Sequence, residues 1–350
     1  MSIFYKLQIK EIRRETVDSV SVSFDIPDHL KQEFQFVAGQ YITLQTELQG
    51  SLLRRAYSIC SSPESGEFRI AIKEVDKGRF SHYANHEMKV GSTLEVAAPE
   101  GRFVLKTSPE NNKNYMALAA GSGITPVISM IKAVLEEEKE SRFVLIFGSK
   151  SSDKTIFKNE LDSLMASSGD RLEVNYVYSQ IVSDKALFGR IDPKLVKSLL
   201  KKEYANRVFD QYFLCGPEEM IEMVKKILLK RKVKEEAIKF ELFSSSSYKK
   251  EIKKSLNANA EISIVLDDEE TSFEMRMDEL ILDAALAKGL DAPYSCQGGV
   301  CSSCLARVVE GAAEMEKNTI LDEDEVAEGL ILTCQAHPTT SIIKIDYDDV

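Results

Sequence analysis

Long apolar runs are missing from this sequence, and none approaches the roughly 18 residues that a membrane-spanning helix needs. The first residues also lack a charged segment followed by an apolar one, so we expect a cytoplasmic protein with no membrane partner. Positive charge is scarce, because 56 acidic residues outnumber 45 basic ones and the net charge is −11. This balance argues against nucleic acid as a partner. With only six cysteines, a cytosolic chain is not expected to have a disulfide framework.

The charge is distributed unevenly along the chain. Residues 260–350 contain 21 acidic and 5 basic residues, whereas residues 1–259 contain 35 acidic and 40 basic ones. Two interpretations stay open at this point. The C-terminal part is either simply an acidic, soluble domain, or an acidic carrier guided by electrostatic attraction toward a basic surface on the rest of the chain.

A chain of 350 residues is expected to form two or three domains. Over residues 1–106, short alternating or apolar runs between glycines predict a small β-barrel or sandwich, with one helix near Ser81. Over residues 107–243, apolar strands alternate with helical patterns, which predicts an α/β domain with a parallel sheet. A Ser- and Lys-rich linker is predicted at 244–259, followed by a third domain at 260–350.

Four of the six cysteines lie in the third domain, with a characteristic spacing. Four residues separate Cys296 from Cys301, two separate Cys301 from Cys304, and 29 separate Cys304 from Cys334. This is the spacing of plant-type [2Fe–2S] ligands. A structural zinc site is the alternative, although zinc usually takes two closely spaced pairs of cysteines. A Rieske centre needs two histidine ligands, and His337 is the only histidine in this domain.

Residues 260–350 resemble plant-type ferredoxins, both in this spacing and in the loop sequence Tyr294–Cys304. The resemblance implies a β-grasp fold and a one-electron carrier with a potential near roughly −400 mV. A one-electron carrier cannot accept a hydride. We therefore expect a group upstream that divides an electron pair.

Several short motifs precede the cysteine domain. Arg54–Ser58 follows a β-run, Lys73 lies on the next strand, and Gly78–Ser81 enters a helix whose free N–H groups favour a phosphate. Gly121–Pro126 lies between a strand and a helix, where glycines let a pyrophosphate approach the backbone, and Cys215–Pro217 ends a later strand. In isolation, each motif also has a purely structural explanation: a surface Arg beside a Tyr, a turn with a Ser cap, or a buried inert thiol.

In this order the motifs resemble the ferredoxin–NADP reductase family. Together with the C-terminal module, the chain resembles the reductase components of bacterial multicomponent oxygenases. The resemblance implies catalytic roles in hydride transfer for Ser58 and Cys215. It implies flavin-binding roles for Arg55, Tyr57, Ser58, Ala71, Ile72, Lys73, Gly78, Phe80, Ser81 and Phe243. It implies nicotinamide-binding roles for Gly121, Ser122, Gly123, Thr125, Pro126, Cys215, Gly216 and Pro217.

The sequence leaves alternatives open for both the flavin and the nicotinamide cofactor. The family uses FAD or FMN, and FAD is expected here with FMN as the alternative. NADPH is favoured over NADH because no acid follows the second predicted strand until Asp153, and Lys150 and Arg190 are candidate contacts for a 2′-phosphate. Gln180 stands where NADP-specific relatives often have an arginine, which leaves NADH as the alternative.

These observations predict an electron relay from NAD(P)H through the flavin to the [2Fe–2S] cluster, with a linker that lets the cluster domain swing toward a partner. The resemblance implies a terminal oxygenase as that partner, of the phenylacetyl-CoA epoxidase type. The same relay could serve another redox protein, such as a Rieske-type oxygenase, a desaturase or a hybrid-cluster protein. A zinc-stabilised binding module on a flavoprotein is the alternative from another functional class.

Overall fold

The structure is a computed structural model that describes residues 3–48, 50–243 and 258–350. It contains two compact units, an N-terminal unit Phe4–Phe243 and a C-terminal unit to which the described residues 258–350 belong. The predicted linker lies outside the described residues except for its last two positions, and Asn259 already begins a strand. No helix in the described ranges is long and apolar enough to cross a membrane.

Six antiparallel strands and one helix form the first half of the N-terminal unit. They are β1 Phe4–Thr16, β2 Ser19–Asp25, β3 Tyr41–Leu48, β4 Ser51–Ser58, β5 Phe68–Lys73, α1 Arg79–His86 and β6 Thr93–Ala97. The strand order is β4-β3-β6-β1-β2-β5, and a bridge between Ile59 and Ile70 joins the two edges of the sheet. Alternate residues of the strands, such as Val20 and Val22, fill the interior. The prediction of an antiparallel β-barrel is confirmed.

A parallel sheet with helices forms the second half of this unit. Its elements are β7 Asn114–Ala120, α2 Ile124–Glu137, β8 Arg142–Ser149, α3 Lys158–Ser168, β9 Leu172–Tyr178, β10 Leu187–Phe188, α4 Pro193–Ser198, β11 Gln211–Cys215, α5 Glu218–Lys230 and β12 Ile238–Glu241. The strand order is β10-β9-β8-β7-β11-β12, and every pair is parallel. The chain order reverses between β7 and β11, where open α/β sheets bind their ligands. The predicted α/β fold is confirmed.

Helix α2 joins the barrel to the parallel sheet. Ile124 and Val127 of this helix share one hydrophobic cluster with Cys60 and Ala71 of the barrel. Polar contacts reinforce the packing, since Ser129 Oγ donates to the carbonyl of residue 61 at 2.6 Å and Lys132 Nζ to that of Cys60 at 2.9 Å. The turn that precedes α2 is therefore held against β5 of the barrel.

The C-terminal unit is a mixed sheet covered by a helix. Its elements are β13 Asn259–Leu266, β14 Glu269–Arg276, α6 Ile281–Ala287, β15 Leu305–Glu310, β16 Ala313–Met315, α7 Glu323–Ala327, β17 Leu330–Leu332, β18 Ala336–Pro338 and β19 Ile342–Asp346. The five-stranded sheet has the order β14-β13-β19-β15-β17, with β13 and β19 parallel. Helix α6 packs Ile281 and Ala285 into the core beneath the sheet. This is the predicted β-grasp arrangement.

Candidate functional site

Strand β4 carries two of the predicted flavin residues on the side that its partner strand β3 turns toward the barrel interior. Side chains alternate along a strand, so Arg55 and Tyr57 lie on the face opposite to Arg54, which is buried. Arg55 is exposed and Tyr57 is half-buried. The Tyr57 ring packs on Phe80 with centroids 5.6 Å apart. This face combines an exposed cation with a fixed aromatic ring, which suits a phosphate and a flat flavin ring.

Strand β5 lies beside this face and alternates in the same way. Ile72 is fully buried inside the barrel, whereas Ala71 faces the hydrophobic cluster shared with α2. Lys73 ends the strand and is only partly buried. Of the three residues predicted here, Ala71 and Lys73 are therefore on the outer side of the barrel, and Ile72 acts as core.

The turn before α1 offers backbone rather than side-chain contacts. Phe80 is buried, and Ser81 Oγ accepts a hydrogen bond from Val75 N and donates one to Gly78 O, both at 3.2 Å. A Cβ on Gly78 would come within 2.4 Å of Ser81 Oγ, so this position has no room for a side chain. Because the first N–H groups of a helix have no intrahelical partner, those of α1 are the groups suited to a pyrophosphate.

The turn between β7 and α2 comes very close to the end of β11. A Cβ on Gly123 would lie 2.2 Å from the carbonyl oxygen of Cys215. Gly121 has a φ of +57°, a conformation that glycine adopts without strain. Thr125 Oγ1 donates to Ser122 O at 3.0 Å and so fixes the turn, while Pro126 is buried in the first turn of α2. Bare backbone from two loops therefore meets at the point where the strand order reverses.

The other loop, Cys215–Pro217, is equally constrained. A Cβ on Gly216 would lie 2.8 Å from Met220 Cε and 3.1 Å from Ala120 Cβ. Pro217 is exposed and directly precedes α5. The structure thus brings the two predicted nicotinamide motifs together at one edge of the sheet, where only glycine lets the two loops approach so closely.

A polar cluster of three residues lies where the barrel meets the sheet. Strand pairing places Glu241 of β12 beside Cys215 of β11, and the Ser58 hydroxyl donates to Glu241 Oε2 at 3.4 Å. All three residues are buried. Burial and the neighbouring Glu241 carboxylate raise the pKa of the Cys215 thiol well above its ordinary value. The cluster therefore contains a neutral thiol, a hydroxyl and a carboxylate.

Glu241 was not predicted as a site residue. Its sequence context, Glu241–Phe243, drew attention only to the aromatic residue, which is 39% exposed just beyond β12. The register of β12 against β11 brings the carboxylate to Ser58, and a four-residue strand carries no sequence signal for that register.

The two predicted phosphate contacts follow β8 and β10, which lie on either side of β9 in the sheet. Lys150 follows β8, and its carbonyl accepts a hydrogen bond from Gln180 N at 2.9 Å, just beyond β9. Arg190 follows β10, which is the next strand along the sheet. Both cations are exposed. They occupy the same carboxyl-terminal edge of the sheet as the glycine turn.

The cysteine loop of the C-terminal unit brings its sulfur atoms together. Cys301 Sγ lies 3.1 Å from Cys296 Sγ, and all four thiols are free. Cys304 immediately precedes β15 and Cys334 lies between β17 and β18, so strand pairing brings them close together: Thr333 N donates to Cys304 O at 3.1 Å. Three of the four are buried, and Cys296 is the most accessible.

The backbone around the thiols is shaped for a compact anionic centre. Gly298 N donates to Cys296 Sγ at 3.4 Å, an N–H···S contact that stabilises a thiolate. Gly299 has a φ of +67°, and a Cβ there would lie 2.9 Å from Gln335 Cγ. Hydrogen bonding with Cys296 and burial raise the pKa of the Cys301 thiol well above its ordinary value. Cysteine binds a metal as the thiolate, so metal binding at this loop would release protons.

His337 takes no part in this ligand set. Its Nε2 lies 2.8 Å from Glu316 Oε1 and its Nδ1 lies 3.0 Å from Glu279 O, so both ring nitrogens are engaged. The expectation that no Rieske-type ligand set is present agrees with this geometry. The four cysteines are the residues suited to hold a cluster.

Comparison with protein families assigns a cofactor to each part of the chain. Residues 6–105 match an oxidoreductase FAD-binding domain, residues 117–226 an oxidoreductase NAD-binding domain, and residues 264–339 a 2Fe-2S iron–sulfur cluster binding domain. The last match decides against the zinc alternative.

Two relatives are similar over nearly the whole chain. One component of the 1,2-phenylacetyl-CoA epoxidase from Escherichia coli K12 is 37% identical over 353 residues, which cover 99% of each chain. The ferredoxin reductase component of 3-ketosteroid-9-alpha-monooxygenase from Rhodococcus rhodochrous is 30% identical, covering 97% of this chain and 96% of the relative.

Solved structures share the fold. Phthalate dioxygenase reductase, which transfers electrons from pyridine nucleotides to [2Fe-2S], superimposes with a TM-score of 0.64 at 23% identity and 98% coverage of both chains. An intact type IV self-sufficient cytochrome P450 monooxygenase superimposes with a TM-score of 0.69 at 22% identity, covering 98% of this chain and 41% of the larger protein.

Proposed function

The chain belongs to the family of oxygenase reductases that join an FAD-binding, an NAD-binding and a [2Fe–2S] domain, and we propose that it supplies electrons to an oxygenase of the phenylacetyl-CoA epoxidase type. It is an NAD(P)H-dependent oxidoreductase. The 37% identity with the Escherichia coli epoxidase component supports this choice of partner. It extends over 99% of both chains and so includes all three domains.

The described residues fit the three cofactors. Gly123 and Gly216 let two loops pack closely at the carboxyl-terminal edge of the sheet, where open α/β sheets bind dinucleotides. The loop around Cys301 supplies thiols and backbone N–H groups at one point. When bound, FAD accepts a hydride from NAD(P)H and releases electrons singly, and the [2Fe–2S] cluster carries them one at a time.

The residues of the N-terminal unit position and shield the reacting groups. In this proposal, Arg55 neutralises the flavin phosphate and Tyr57 supports the ring. Ser58 presents its hydroxyl to the flavin edge, with Glu241 fixing the orientation of that hydroxyl. Cys215 stays a neutral thiol at the end of β11, where it would help to position the nicotinamide for transfer.

The preference for NADPH is part of the proposal. Lys150 and Arg190 provide exposed positive charge at the edge of the sheet where the second ribose of a dinucleotide would lie. An acid at the end of β8 would repel a 2′-phosphate, and the residues there are Gly148, Ser149 and Lys150. We also infer a cytoplasmic location, since all six cysteines are unpaired, as is usual in a reducing compartment.

Reconstituted turnover tests the partner. The purified holoprotein is combined with the oxygenase components of a phenylacetyl-CoA epoxidase, NADPH and phenylacetyl-CoA, and formation of the epoxide is measured. The expected result is turnover that depends on this protein, with a Rieske-type terminal oxygenase supported far more slowly under the same conditions. Faster turnover of the Rieske-type oxygenase would overturn the assignment of the partner and leave the electron relay in place.

A further inference from the structure

Two exposed histidines and a glutamate form a cluster outside the sites described above. His82 and His86 lie one turn apart on α1, and Glu74 directly follows β5. His82 Nδ1 lies 2.8 Å from Glu74 Oε1, and His86 Nε2 lies 2.9 Å from Glu74 Oε2. The two imidazole rings have centroids 4.4 Å apart. The spacing of four residues places both rings on one face of the helix, directed at the same carboxylate.

This donor set matches the ligands of divalent transition metals. Two imidazole nitrogens and one carboxylate oxygen are a three-ligand set that Zn²⁺ takes with a water in the fourth position. A tetrahedral ion with bonds of about 2.1 Å holds its ligand atoms about 3.4 Å apart. Here one ligand atom from each residue lies within 4.8 Å of the others. Small rotations of exposed side chains therefore bring the three atoms to coordination distance without movement of the backbone.

The surroundings of Glu74, His82 and His86 give a metal ion access from solvent and provide a net negative charge. A cavity of about 440 Å³ is lined by Glu74 and His82, which leaves space for a water ligand and a route from solvent. Hydrogen bonds from His82 and His86 hold the pKa of Glu74 below its usual range, so its carboxylate is ionised at neutral pH. The same cavity is lined by two further carboxylates and two cations, Glu47, Glu87, Lys77 and Arg79. Their formal charges balance, so Glu74 contributes the net negative charge.

We propose that Glu74, His82 and His86 bind a divalent transition-metal ion of the Zn²⁺ type. The ion ties the segment that follows β5 to α1 and thereby closes the intervening turn Gly78–Ser81. That turn carries the free N–H groups of the helix, so the metal braces the part of the barrel best suited to a pyrophosphate. The site is chemically separate from the cysteine loop and needs no electron transfer for its detection.

Calorimetric titration with Zn²⁺ tests the proposal on the holoprotein, in which the cluster already occupies the four cysteines. The unmodified chain is expected to bind one equivalent, and His82→Ala and His86→Ala should each bind at least tenfold more weakly. His29→Ala is the matched control, because His29 is an exposed histidine of the same barrel on a different short helix. This variant should bind like the unmodified chain, and equal flavin absorbance in all four proteins shows that each is folded.

Electron paramagnetic resonance with one equivalent of Cu²⁺ gives an independent readout, since oxidised flavin and an oxidised [2Fe–2S] cluster are silent. The unmodified chain and His29→Ala should show coupling to two imidazole nitrogens, and His82→Ala and His86→Ala to one at most. The proposal is wrong if the unmodified chain binds no Zn²⁺, or if His82→Ala and His86→Ala bind it as tightly as the unmodified chain does. Loss of binding in His29→Ala would place the ion elsewhere and contradict the proposal equally.

Discussion

The two units of this protein are suited to hold their cofactors by different means. In the C-terminal unit, four side chains of one chemical type are available as ligands, and two of them, Cys296 and Cys301, lie in direct contact. In the N-terminal unit, the glycine turns around Gly123 and Gly216 present main chain, and side chains such as Ser58 are proposed to orient the ligand. When side chains ligate a cofactor, a few residues supply most of the binding free energy. When the backbone binds it, many contacts along the fitted surface share that free energy.

The largest effect should follow from removing a cysteine ligand. Cys304→Ala is expected to abolish the cluster and to lower electron delivery to a one-electron protein acceptor at least about 100-fold, because a [2Fe–2S] centre needs four ligands. Flavin reduction by NADPH should remain within about twofold, since hydride transfer needs only the N-terminal unit. Visible absorption and stopped-flow measurements report the two quantities. Cys60→Ala is the matched control, and loss of the cluster in that variant would contradict the ligand assignment.

A methyl group in the glycine turn should have the next largest effect. Gly123→Ala places a Cβ 2.2 Å from the Cys215 carbonyl oxygen, so the two loops must move apart. We expect flavin reduction at subsaturating NADPH to slow about 100-fold, because a shift of about 1 Å costs that much in alignment. Gly169→Ala is the control, as nothing lies within 4 Å of the added carbon there. It should lose about 1–3 kcal/mol of stability, because a φ of +62° with a ψ of −129° is strained for a residue with a Cβ, without a change in flavin reduction. Equal rates of flavin reduction in Gly123→Ala and Gly169→Ala would show that the close contact between the two loops does not affect hydride transfer.

Removing an orienting side chain should cost less. Ser58→Ala and Glu241→Gln are each expected to slow flavin reduction at saturating NADPH about tenfold. The first substitution removes the hydroxyl, and the second removes the carboxylate that accepts its hydrogen bond. Their double variant should be little worse than either single one, as expected for residues that act as a unit. Ser129→Ala removes another buried serine hydroxyl, which donates to the carbonyl of residue 61, and should leave the rate unchanged. Fully additive effects of Ser58→Ala and Glu241→Gln would show that the two residues act independently.

The smallest effect is expected for exposed charge at the sheet edge. Lys150→Glu and Arg190→Glu should each raise the KM for NADPH about fivefold relative to that for NADH, because solvent-exposed ion pairs contribute up to about 1 kcal/mol. Lys139→Glu makes the same charge change just beyond the C-terminal end of α2 and should shift neither KM. If Lys150→Glu and Arg190→Glu both leave the ratio of the KM for NADPH to the KM for NADH unchanged, these cations do not bind the 2′-phosphate.

The same contrast explains what could be predicted from sequence. The spacing of Cys296, Cys301, Cys304 and Cys334 is written along the chain, and the structure brings Cys296 and Cys301 into direct contact. Local patterns of this kind need no knowledge of distant parts of the chain.

Features that depend on strand register could not be predicted. Glu241 reaches Ser58 only through the pairing of β12 with β11, and the two residues are 183 positions apart. His82 and His86 form an i, i+4 pair that is visible in the sequence, but Glu74 joins them from the segment that follows β5. The side chains of Phe80 and Ser81 face inward, and their predicted contact with the flavin pyrophosphate, which backbone N–H groups would make, stays a prediction.

The central claim is that electrons enter as a hydride in the N-terminal unit and leave singly through the C-terminal unit. Anaerobic stopped-flow mixing of the holoprotein with NADPH tests this most directly, with flavin and cluster absorbance followed at separate wavelengths. We expect the flavin absorbance to fall before the cluster absorbance does. In Cys304→Ala, only the flavin absorbance should fall. Cluster reduction ahead of the flavin, or a flavin that NADPH and NADH both leave oxidised, would contradict it.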